Sequence, residues 1–214
     1  MQGSGKAGKR GGRRGSGAAG ELMLACNVPT PDSRIPTPMH PQTLAYQLKL
    51  SQTVLDMNTR DVSHEESLTT PPKGGSCLNQ VLGHLTRTRN LALSTMGQKP
   101  PYPMEDFDPY DDRTGVPFSR ERALPFDELK RRFDSMQEPL VRTIRGMSGE
   151  VLATKPPRPV TGDPNETVGS NLATLVFHEC YHVGQTGVLR RIAGKPGVVK
   201  PPRESGDAGK QASR

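Results

Sequence analysis

The chain has no tryptophan, and its aromatic residues are four Tyr and five Phe. Basic side chains interleaved with aromatic ones, the stacking platform of a single-strand nucleic-acid binder, are therefore missing. Three cysteines, Cys26, Cys77 and Cys180, make no even disulfide framework, which favours a reducing compartment. No run approaches the ~20 apolar residues of a membrane span. The segment Leu22–Cys26 has the outline of a lipoprotein cleavage site, but Glu21 precedes it and the usual apolar stretch of about 7–15 residues is missing. The expectation is a cytoplasmic chain with no membrane partner. Strand-like alternation is nowhere sustained. Gly3-Ser4-Gly5-Lys6 lacks the strand, spacing and helix of a phosphate-binding loop, so no nucleotide cofactor is indicated.

The 23 Gly and 21 Pro are concentrated outside the periodic segments, and the hydrophobic fraction is 32%. That is low for a chain ordered throughout, and an ordered core of roughly 150–160 residues is expected. The formal net charge of +7 owes much to the ends. Lys6, Lys9, Arg10, Arg13 and Arg14 precede any acidic residue. Such a run is ordinarily solvated and weakly specific, so no nucleic-acid partner is expected. Residues 1–36 read as a basic Gly/Pro-rich arm, or as an upstream extension of a chain that starts at Met23 or Met39. Residues 37–197 read as the folded domain and 198–214 as a polar tail.

Four segments carry helical spacing. The first, about 41–58, has Leu44, Leu48, Val54 and Leu55, with Pro41 in its first turn. Ser63-x-x-Glu66 then has the pattern of a capping box over one short turn. The second helix, about 76–96, carries Leu78, Val81, Leu82, Leu85 and Leu93, with Ser76 as the expected N-cap and Gly97 as the stop. Residues 97–124 read as a long connection, a length that often marks a lid or binding loop. The third helix, about 125–148, has Phe126, Leu129, Phe133, Met136, Leu140, Ile144 and Met147, with Pro139 expected to kink it. After a Pro-rich connection the fourth, about 167–193, ends at Gly194 and Pro196. The fold class expected is all-α, a four-helix bundle whose linkers are long enough for crossover connections.

The chemistry concentrates on the fourth helix, in Phe177-His178-Glu179-Cys180-Tyr181-His182-Val183-Gly184-Gln185. Residues i and i+4 share a helix face, so His178 and His182 can close on one divalent ion. His84 lies on the apolar stripe of the second helix. Taken alone it reads more readily as a core histidine than as a ligand. With the other two it makes an open site, three neutral nitrogens with positions left for water or substrate. His64, in the capping turn, and His40, before Pro41, are expected outside the site. The stretch also satisfies His-Glu-x-x-His, the zinc-peptidase pattern, in which Glu179 would be the general base. That pattern needs a third ligand downstream. Position 185 is Gln and 188 is Val, and the remaining carboxylates, Glu204 and Asp207, lie in the tail. Glu179 also sits ~100° around the helix from His178. An exposed helix carboxylate is the expected reading of Glu179, with proton acceptor or hydrogen-bond partner of the site as the alternative. Gln185 either orients a ligand or water or packs between helices.

Two passages resemble a known family. Leu78-Asn79-Gln80-Val81-Leu82-Gly83-His84-Leu85 looks like the Gly-His-Leu motif on the second helix of the DinB/YfiT-like superfamily. His178-Glu179-Cys180-Tyr181-His182-Val183-Gly184-Gln185 looks like its His-x3-His-x-Gly-Gln motif on the fourth. The resemblance spans residues ~40–197, with helices in the same order. It implies a bundle whose divalent metal is held by one His of the second helix and two of the fourth, here His84, His178 and His182. It also implies a homodimer acting on a small molecule, as a hydrolase or a low-molecular-weight-thiol S-transferase. Zn²⁺ suits three imidazoles best, and Ni²⁺, Fe²⁺ and Mn²⁺ remain compatible. A non-catalytic bundle that binds a metal or a partner is the alternative. The basic arm and the Pro- and Asp-rich 97–124 loop depart from the family pattern.

Overall fold

The structure, a computed structural model, describes residues 40–111 and 117–198. The arm expected over 1–36, part of the 97–124 connection and all but the first residue of the tail expected over 198–214 lie outside the described residues. Among the described residues there is no strand, and the fold is all-α.

Helix α1 runs Pro41–Thr59 and starts on Pro41, whose missing N–H falls where an N–H has no helical partner anyway. It buries Leu44, Leu48, Ser51, Leu55 and Asn58, a single face at spacings of four and three. The short α2, His64–Ser67, has the full capping box, with the Ser63 hydroxyl accepting from the Glu66 N–H and the Glu66 carboxylate accepting from the Ser63 N–H. Helix α3, Leu78–Thr95, is capped by the Cys77 sulfur, which accepts from the Gln80 N–H, and not by the expected Ser76. It ends at Gly97, whose φ of +77° lets Gln98 N–H reach back to the Leu93 carbonyl.

The third expected helix is two. Helix α4, Phe126–Ser135, and α5, Gln137–Arg145, meet at Met136. Pro139 has no N–H to give the Ser135 carbonyl and its ring crowds that oxygen, so the ladder breaks one turn before it. The connection expected over 149–166 holds a further short helix, α6, Gly149–Ala153. Helix α7, Val168–Ile192, begins with a capping box between Thr167 and Ser170 and closes at Gly194, φ +81°.

The long segments pack in a ring: α1 on α7, α7 on α3, α3 on α4, and α5 back on α1. The connection after α3 is not an open loop. Its 3-10 turn Met104–Tyr110 lies along α3 and buries Phe107 and Tyr110. Tyr110 sits flat on Gly83, where an added Cβ would stand 2.2 Å from the ring.

The core is divided. Leu55, Val81, Leu82, Leu85, Phe133 and Val183 belong to one apolar cluster. Leu44, Leu48, Val141, Leu172 and Val176 belong to another. Along α1, α3 and α7 the residues between these clusters include the buried polar Ser51, Arg89 and Glu179. A polar layer thus interrupts the core at mid-height, and the three-histidine group lies at that level on α7.

Candidate metal centre

Helix α3 contributes His84, and α7 contributes His178 and His182. One ring nitrogen from each lies within 4.8 Å of the others. The Nε2 atoms of His84 and His178 are 2.9 Å apart. The rings are steeply inclined, with centroids 4.9 Å apart for His84–His178 and His84–His182 and 4.5 Å for His178–His182. His84 and His182 are half-buried and His178 is buried.

The protonation of the group suits a cation. Burial, and then the neighbouring His182 and His84 imidazoles, push the His178 pKa down to about 3, so this ring keeps a lone pair at neutral pH. His182 Nδ1 is 2.7 Å from Gln185 Oε1. An amide oxygen only accepts, so Nδ1 carries the hydrogen, and in the neutral ring Nε2 then keeps the lone pair. A partner on the far nitrogen that fixes tautomer and ring orientation is characteristic of metal-bound histidine. His178 Nδ1 is buried without a hydrogen-bond partner. Its Nε2 stands at hydrogen-bond distance from His84 Nε2, so without a cation one of these two nitrogens carries a hydrogen that a metal would displace. Three imidazole nitrogens on two helices, converging from three inclinations, fit a divalent ion with open positions.

The other histidines fall outside this group, as the sequence suggests. His40 is the exposed N-cap of α1, and His64 is a half-buried residue of α2.

Glu179 corrects the sequence reading. It is 1% exposed, not a surface carboxylate. Arg89, itself fully buried, donates from Nε to Glu179 Oε2 at 2.7 Å and from a terminal nitrogen to Oε1 at 2.6 Å. The Ser51 hydroxyl donates to the same Oε1. The other terminal nitrogen of Arg89 donates to Gln52 Oε1 at 2.9 Å and the Phe133 carbonyl at 3.2 Å, and the guanidinium lies 3.5 Å over the Phe133 ring. Both Glu179 oxygens are therefore committed, which removes the general base that a peptidase reading requires. The signal was present in the spacing. Leu78, Leu82, Leu85, Arg89 and Leu93 form one stripe of α3, and Leu172, Val176, Glu179, Val183 and Thr186 one stripe of α7. Opposite charges on two facing apolar stripes mark a buried pair.

No helix of the described residues is long and apolar enough to cross a membrane. Among curated proteins the chain finds no match. A family model described as the DinB superfamily matches residues 47–186, which includes all three histidines and well over half of the sequence. With that match over an all-α fold that gathers its three histidines, the chain belongs to the DinB superfamily.

Proposed function

We propose that this protein is a metal-dependent enzyme that acts on a small molecule, as a hydrolase or a low-molecular-weight-thiol S-transferase, with a divalent cation on His84, His178 and His182. The observation that carries the reading is the convergence of three imidazoles from α3 and α7, with His182 oriented from behind by Gln185. Zn²⁺ is the ion that best suits this donor set, with Ni²⁺, Fe²⁺ and Mn²⁺ compatible. When bound, such a cation supplies Lewis acidity that makes a nucleophile available near neutral pH. Either reaction is a displacement. An oxygen or sulfur nucleophile bonds to an electrophilic carbon, the leaving group takes the bonding pair, and the nucleophile's proton passes to solvent. The chain's own part is to hold the three nitrogens, fix the His182 tautomer through Gln185, and keep Glu179 out of the reaction.

Elemental analysis of metal-replete, chelator-free protein tests this directly. Close to one divalent ion per chain is expected, lost in a His84→Ala variant that still folds, and turnover is expected in a panel of thiol-transfer and hydrolysis substrates. Fewer than about 0.1 ion per chain would sink the proposal, since a structural or catalytic site of this donor set binds far more tightly. The engagement of both Glu179 oxygens is the observation that favours a non-catalytic metal-binding protein instead, because it leaves no carboxylate base on α7 beside the histidines. Turnover that requires the metal decides between the two.

The proposal includes a homodimer in the cytoplasm. Phe177, Tyr181 and Val188, each more than half exposed, form an apolar stripe on α7 that a second copy would cover. Cys77 and the exposed Cys180 are free thiols, in keeping with a reducing compartment. Light scattering on the purified chain should give twice the monomer mass.

A further inference from the structure

A cavity of about 440 Å³ opens between α3, α7 and the segment Pro156–Thr161, and His178 forms part of its wall. Its size falls within the range of small-molecule sites. The α3 side supplies Leu91, Ala92 and Met96, and the α7 side Leu172 and Leu175. The threonines Thr88, Thr95 and Thr174 of the lining turn their hydroxyls to the backbone. The Thr88 hydroxyl donates to the His84 carbonyl, Thr95 to Ala92, and Thr174 to Ser170, so the single hydrogen of each is already spent. The Asn171 amide donates to the Arg158 carbonyl. The charged side chain of the lining is that of Arg158, on the exposed outer segment.

The outer wall is fastened in place. Pro156, Pro157 and Pro159 restrict its backbone, and the buried Glu166 carboxylate accepts from Val160 N–H, Thr161 N–H and the Thr161 hydroxyl, each at 3.0 Å. Asn171 holds the middle of it through the Arg158 carbonyl at 2.8 Å, and Val168 N–H donates to Thr154 O at 2.8 Å. A carboxylate spent on three donors from one short segment holds an opening that would otherwise collapse onto half-buried Leu91, Met96 and Leu175.

We infer that this chamber takes an uncharged, apolar group of the substrate, an aryl or medium-length alkyl substituent, and so makes the enzyme one for hydrophobic electrophiles. The inference rests on the proposed metal-dependent activity and specifies its substrate class. A charged substituent would lose its hydration among Leu91, Ala92, Met96, Leu172 and Leu175, where the threonine hydroxyls that could repay it are already bonded to the backbone. The reacting carbon then lies at the His178 end of the chamber, beside the metal ligands.

The test uses the full-length chain loaded with Zn²⁺ and the neutral fluorescent probe N-phenyl-1-naphthylamine. One probe per chain is expected to bind, with the anionic analogue 1-anilinonaphthalene-8-sulfonate at least tenfold weaker. Ala92→Trp should fill the chamber and weaken the neutral probe at least tenfold. Thr95→Trp, at its exposed rim, gives a second obstruction should the first variant fail to fold, with circular dichroism reporting folding and zinc content reporting the metal site. Equal probe affinity in the folded obstructed variants, equal affinity for the anionic analogue, or no binding to the wild-type chain overturns the inference; the last would leave the apolar face to a macromolecular partner. Zinc that fails to bind while the probe pattern holds sinks the metal reading and leaves the chamber standing, so the two failures are distinguishable.

Discussion

Replacing Glu179 by Gln preserves the shape of the side chain and removes its charge. Arg89 is then left with no carboxylate in a place with no solvent exposure. In the wild type its guanidinium makes two charge-assisted bonds to Glu179, and Ser51 adds a third donor to the same carboxylate. The amide keeps one accepting oxygen, but its NH₂ faces the guanidinium in either orientation, and the Ser51 hydroxyl as well in one of them, so at least one donor loses its acceptor. Breaking a buried ion pair from one side costs about 3–5 kcal/mol, a large part of the about 5–15 kcal/mol that holds a domain folded. For a chain of this size the melting temperature should fall by roughly 6–20 °C. Urea unfolding followed by circular dichroism measures the loss, and zinc content at a temperature well below the melt checks that the three histidines still bind. Arg89→Met combined with Glu179→Leu should be less destabilised than the sum of the single changes, because neither charge is then stranded. An unchanged unfolding midpoint would refute the reasoning. So would a Glu179→Gln variant of full stability whose metal-dependent activity had vanished, since that is the behaviour of a general base.

Three further outcomes are expected. Gly83→Ala forces a methyl group to within 2.2 Å of the Tyr110 ring, and an overpacked contact of this kind should cost about 1–3 kcal/mol in the same urea assay; a neutral result would mean the 104–110 turn can lift from α3 freely. Burial pushes the Tyr110 phenol up to about 12, against about 10 in the unfolded chain. The folded state therefore holds that proton more tightly, and this contribution to stability is complete below about pH 10 and lost as the pH rises toward 12. A difference titration of wild type and Tyr110→Phe by absorbance near 295 nm should find the phenol ionising close to pH 12, and ionisation near 10 would contradict its burial. Gln185→Leu should weaken zinc binding about 10–100-fold, as loss of a hydrogen bond behind a histidine ligand does, with helix content unchanged; competition with a chromophoric chelator reads the affinity, and an unaltered value would leave Gln185 with packing alone.

The long helices and the histidine pair were legible because they depend on local chemistry. The apolar spacing on α1 and α3, the Ser63–Glu66 capping box and the glycine at position 97 each act within a few residues of themselves. The break at Pro139 was legible for the same reason, although that it would give two helices, not a bend, was not. The Cys77 cap was obscured because Ser76 is the stronger capping residue by type, and the chain enters α3 one position later. Glu179 was misread for a different reason. A charged residue suggests exposure until its partner is known, and that partner is 90 positions away. The same distance problem hid the chamber, which needs α3, α7 and the Pro-rich segment brought together.

Polar side chains join α3 to α7 at neighbouring levels: His84 meets His178 and His182, and Arg89 bonds to Glu179, the very next residue after His178 on α7. The Arg89–Glu179 pair needs no cation. It fixes the longitudinal register of the two helices, and that register already brings the imidazole nitrogens together. A cation bound as proposed would find its ligands assembled and would not have to draw the helices together. Loading and unloading can then proceed on a folded scaffold, so that losing the ion empties a site without dismantling the protein around it.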